Sequence, residues 1–107
     1  MKRVCCFFVL LGLIVFSAAA AGPVVTVINE TGYDIYFLYF SPSDSDEWGE
    51  DLLGDEILES GFSFDITLPA GGKWDVLAED EDGDSYTIMG ISIQGYQTII
   101  IDEDALE

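Results

Sequence analysis

The sequence predicts an all-β fold: an antiparallel β-sandwich of about six to eight short strands behind a cleaved signal peptide. Three observations carry that expectation. Between Val24 and Ile101, aromatic and β-branched residues alternate with polar ones in short runs. Turn residues punctuate those runs at Thr31-Gly32, Ser41-Pro42, Pro69-Ala70-Gly71-Gly72, Asp82-Gly83 and Gln94-Gly95. No long apolar pattern of helical period interrupts them, and such a series of short strands and turns indicates a sandwich.

The chain opens with a stretch of different character. Lys2-Arg3 are followed by an uncharged run from Val4 to Phe16 and then by small residues, Ser17-Ala18-Ala19-Ala20-Ala21-Gly22. That is the layout of a secretory signal, and the apolar run is shorter than the roughly 20 residues that span a bilayer. Residues 1–21 are therefore expected to be removed, leaving residues 22–107 as one secreted or periplasmic domain. Cys5 and Cys6 leave with the signal, so no disulfide is expected in the mature protein.

Val24 to Asn29 reads as the first strand. In the second, Asp34 to Phe40, alternation puts Ile35, Phe37 and Tyr39 on one face and Tyr36, Leu38 and Phe40 on the other. Both faces are apolar, so the strand is either central or presents a tyrosine-lined outer surface. Pro42 ends it. From Asp44 to Ser60 the alternation fails, and acids surround Trp48, Leu52, Leu53, Ile57 and Leu58. An irregular loop with one helical turn is expected there, its apolar residues tucked inward. Phe62, Phe64, Ile66 and Leu68 form the inner face of the next strand, and Trp74, Val76 and Ala78 that of the one after. A hairpin at Asp82-Gly83 leads to Tyr86 and Ile88, also inward. The inward set then shifts to Ile91 and Ile93, which predicts a bulge at Gly90. Tyr96 to Ile101 closes the sheet, and the acidic tail Asp102 to Glu107 is expected to fray.

Charge narrows the function classes. Residues 22–107 hold one base, Lys73, against all 21 acidic residues, a formal charge of −20. Nucleic acid and anionic membrane are excluded as partners, since both require Lys and Arg. A basic protein or a cell-wall glycan fits instead. The same residues lack His, Cys and Arg, which removes the common nucleophile–base pairs, imidazole or thiolate zinc ligation and guanidinium clamps. An enzyme is not expected.

Several segments together resemble a family of short exported bacterial domains. They are Asn29-x-Thr31-Gly32-x-x-Ile35, Leu38-Tyr39-x-Ser41-Pro42-Ser43, Trp48-Gly49-x-Asp51-Leu52-Leu53-Gly54, Gly61-x-Ser63, Trp74-Asp75-Val76 and Asp80-x-Asp82-Gly83-Asp84-x-Tyr86. The resemblance implies a secreted bacterial β domain and carries no assigned activity.

Two motifs carry candidate chemistry. Glu79-Asp80-Glu81-Asp82-Gly83-Asp84 crowds five carboxylates into a hairpin, and hard cations such as calcium bind carboxylate and carbonyl oxygens. The spacing departs from an EF-hand: with Asp80 as the first position, the glycine and the terminal acid are misplaced. A calcium site here would draw on Asp80, Asp82 and Asp84 with Asp51 from the long connection; otherwise the acids are a solvated turn. Trp48 either anchors its acidic loop or stands open as a binding platform. Asn29-Glu30-Thr31 fits the glycosylation acceptor, or in a bacterium a polar turn. The expected function is a secreted or envelope-associated binding module, with calcium at the acidic hairpin. The alternative is a small inhibitor or toxin-like protein that binds a basic macromolecule.

Overall fold

The structure, a computed structural model, describes residues 22–106. The expected signal peptide, 1–21, lies outside the described residues. Six strands are present in chain order: β1 (Val24–Asn29), β2 (Ile35–Pro42), β3 (Ser63–Thr67), β4 (Gly72–Asp80), β5 (Ser85–Ile93) and β6 (Gln97–Ile101). They form two three-stranded sheets, ordered β3-β1-β6 and β2-β4-β5. Neither sheet closes into a barrel. Val25, Val27, Ile66, Ile99 and Ile101 from the first sheet join Ile35, Leu38, Phe40, Trp74, Val76, Ala78, Tyr86 and Ile93 from the second in one buried apolar cluster.

Pairing is antiparallel for β1 with β3, β2 with β4 and β4 with β5, as the alternation predicts. β6 departs from that pattern: it runs parallel to β1, with Val25 opposite Gln97 and Asn29 opposite Ile101. The cause is topological. Gln94 to Tyr96 carry the chain from β5 in one sheet to β6 in the other, so β6 enters the free flank of β1 in the same direction as β1 itself.

The bulge expected at Gly90 is present. Trp74 faces Ile91 and Val76 faces Ile88, so Asp75 alone opposes Met89 and Gly90. Gly90 takes φ +69°, a left-handed conformation that side-chain-bearing residues resist, and donates its N–H to Asp75 Oδ1 at 2.8 Å. A second bulge lies in β2, where Ile35 faces Asp80 and Phe37 faces Glu79, leaving Tyr36 as the extra residue. It overturns the expected facing of that strand. Ile35, Leu38 and Phe40 share the core, whereas Phe37 and Tyr39 turn outward.

The long connection contains no helix, and Gly54 turns it at φ +60°. Leu53 and Leu58 are buried as expected, but Ile57 is exposed. This loop covers the outer edge of β2: Leu52 N donates to Leu38 O, and Ile35 and Leu58 exchange a pair of backbone hydrogen bonds. A covered edge offers no template for pairing with another chain. Phe62, expected inward, is 62% exposed: Asn29 N still donates to Phe62 O, but Asn29 O accepts from Gly61 N, and Gly61 at φ +87° turns the chain there. The acidic tail does not fray within the described residues. Glu103–Ala105 form a 3₁₀ turn capped by Asp102, and Leu106 bridges to Tyr86 on the edge of β5. Asn29 is fully buried, donating to Tyr33 O and Leu58 O and accepting from Thr31, so it is a structural bracket with no room for a glycan.

Candidate functional site

Alternation on β4 divides the β2-β4-β5 sheet into two unlike faces. Trp74, Val76 and Ala78 enter the core, so Asp75, Leu77 and Glu79 lie on the other face. The pairing brings further residues beside them. Phe37 sits opposite Glu79, Tyr39 opposite Leu77 and Ser41 opposite Asp75 on one flank; Ser85, Thr87 and the bulged Met89 lie on the other. The outcome is an apolar row of Phe37, Tyr39, Leu77 and Met89 set among carboxylates. Phe37 and Met89 are 42% and 64% exposed, so the row faces solvent. Burial, then the charges of Glu79 and Asp51, push the Tyr39 phenol above its usual range.

The row ends in a recess of about 190 Å³ lined by Ser41, Ser45, Asp46, Glu47, Trp48, Asp75 and Met89. Trp48 is half-buried in its wall, which makes it an anchor for the loop and a partly open surface at once. The loop that carries it is pinned: Ser41 Oγ donates to Glu47 O at 2.6 Å, and Ser45 Oγ accepts from Glu47 N. Asp75 is only 8% exposed, and its Oδ1 accepts from Ser43 Oγ at 2.7 Å as well as from Gly90 N. A second hollow of about 600 Å³ runs between Pro42–Asp44 and Pro69–Trp74. Its lining mixes proline, alanine and glycine with Ser43, Asp44, Lys73 and Trp74.

The four carboxylates expected to hold calcium are not brought together. Asp80 is 3% exposed, and both its oxygens are committed. Oδ1 accepts from Asp82 N at 2.9 Å and Asp84 N at 3.0 Å, and Oδ2 accepts from Tyr86 Oη at 2.9 Å. Asp82 and Asp84 project into solvent at the tip. Asp51 serves the middle of β2, where its Oδ1 accepts from Leu38 N at 2.9 Å and Leu53 N at 3.1 Å. Among the described residues, no three carboxylates converge to hold a metal ion. The tip is instead tied to the β1–β2 turn, with Glu81 N donating to Asp34 O at 3.1 Å.

The residue pattern allows β2 a tyrosine-lined outer surface, but the row itself follows from the β2–β4 pairing and the Tyr36 bulge. Trp48, the expected binding platform, lines the recess at its end.

Fold and face together define an all-β domain with a solvent-facing aromatic patch in a strongly acidic surface. No protein-family model matches the chain, and no curated protein matches it either. A solved structure is similar: the NMR structure of a protein from Eubacterium rectale, with TM-score 0.58 and 18% identity, covering 81% of this chain and 84% of that one. At that identity the likeness concerns the fold alone.

Proposed function

We propose that the protein is a secreted, non-enzymatic binding module, a β-sandwich whose outer β2-β4-β5 face docks a basic protein partner. The observation that supports it is the row of Phe37, Tyr39, Leu77 and Met89, with Phe37 and Met89 exposed, set beside Asp75 and Glu79 by the strand pairing. Apolar side chains held on a paired sheet supply contact area without loss of loop entropy, and the surrounding carboxylates select a positive partner and speed its approach. The charge of −20 on residues 22–107 points the same way, and it disfavours a second copy of the chain on this face. Export rests on the basic, apolar and small-residue series of residues 2–22. The lack of His, Cys and Arg after residue 22 supports a binding role over catalysis.

Selection of a random displayed peptide library on the purified exported protein tests this. The expected winners place Lys or Arg beside apolar residues and lose at least tenfold in affinity to a Phe37→Ser, Met89→Ser variant. Both side chains are exposed, so the fold should tolerate the changes. Winners without basic enrichment, affinity unchanged in the variant, or binding of cell-wall glycan fragments alone would overturn the proposal.

A further inference from the structure

We propose that the recess between Trp48 and Asp75 is the pocket that takes a lysine or arginine side chain of the partner; this rests on the binding role and deepens it. Three features of the recess converge. Its volume of about 190 Å³ falls below the roughly 300 Å³ at which small-molecule sites begin, which suits one long side chain better than a sugar or a cofactor. Trp48 and Met89 supply apolar walls, along which the methylene stem of a basic residue lies, and an indole face attracts a cationic head.

Asp75 supplies the charge. It is more than nine-tenths buried and lines the recess, and two donors hold its Oδ1. No donor among the described residues reaches Oδ2. A buried carboxylate oxygen without a partner carries a desolvation cost that an entering ammonium or guanidinium removes. Asp46 and Glu47 stand in the same lining and favour a cation over a neutral guest. The pinned Glu47 carbonyl and the Gly90 bulge fix the two walls before any partner arrives, which limits the ordering that binding must impose.

The test is an NMR titration of the exported protein with a blocked leucine–arginine–leucine peptide, its lysine counterpart and its norleucine counterpart. The Trp48 indole signal is told apart from that of Trp74 by a Trp48→Phe variant. The basic peptides are expected to shift the Trp48 indole saturably and to weaken with added salt, while the norleucine peptide leaves it unmoved. Asp75→Asn is the decisive variant, since it keeps an oxygen for Ser43 and Gly90 and replaces only the free one with an amide. It should cut affinity for the basic peptides at least tenfold with the melting temperature held. Full affinity in Asp75→Asn, or equal shifts with norleucine, overturns the pocket. Shifts confined to Phe37, Tyr39 and Leu77 would reject the pocket while leaving the binding face standing. No shift anywhere with any basic peptide rejects both. If Asp75→Asn unfolds, Trp48→Leu replaces it, with the same tenfold loss expected and unchanged affinity again overturning the pocket.

Discussion

Asp80 shows how one buried carboxylate can hold a whole turn together. Its carboxylate takes three hydrogen bonds within the hairpin, and charge-assisted bonds of that kind offset the cost of burying an ion. Asp80→Ala should therefore cost about 2–4 kcal/mol in urea unfolding, most of it from the stranded Tyr86 hydroxyl and the two turn amides. Tyr86 gives the arrangement a pH signature. Burial first, then the hydrogen bond to Asp80, push its phenol up to about 12 from an ordinary value of 10.0. The unfolded chain loses that proton near pH 10 and the folded chain near 12, so between these values unfolding releases a proton. Stability from this pair is complete below about pH 10 and declines as pH rises toward 12. Urea midpoints measured across that window should fall in the wild type and fall less steeply in Tyr86→Phe, which keeps the raised Tyr39 phenol.

At the scale of single elements, the two bulges decide which side chains reach solvent. Gly90, at φ +69°, is the residue on which the β5 bulge turns. Gly90→Ala should destabilise by about 1–2 kcal/mol, and Gly90→Asn by less, because asparagine tolerates the left-handed region. Differential scanning calorimetry of the three proteins checks the order. This bulge was legible in the sequence, since a glycine sits where the inward set changes phase. The β2 bulge was not: Ile35-Tyr36-Phe37-Leu38-Tyr39-Phe40 is apolar on both faces, so no break in pattern marks the extra residue. β1 was read to the residue because Val24 to Asn29 is a β-branched run ended by a turn. Phe62 misled because the alternation runs into the Gly61 turn, where Asn29 bonds both Gly61 N and Phe62 O. The acids at the hairpin were visible as a cluster, but their division into one buried bracket and two solvated tips depends on the reach of Tyr86, which spacing alone does not give.

At the scale of the whole domain, residues 22–107 set one base against twenty-one acids, which makes self-repulsion a standing load on the fold. Added salt screens it, so melting temperature should rise with sodium chloride over the range in which the Debye length shrinks from roughly 30 to 10 Å. Calcium at matched ionic strength is expected to add nothing further, given the commitments of Asp80 and Asp51. A calcium-specific rise, abolished in Asp82→Asn, would contradict that outcome. The topology has a consequence of another kind, for the order of events as the chain folds. Among the described strands, only the β4–β5 hairpin joins neighbours in sequence; β1 pairs with β3 and, through Val25 opposite Gln97, with β6. Pairings between distant segments form slowly, commonly in milliseconds to seconds, because the loop must close before the contact rewards it. The hairpin is thus the natural nucleus and β6 the final strand to arrive. Until it does, Val25 and Val27 lie along an open sheet edge, and the nascent protein is most prone to aggregate in that interval.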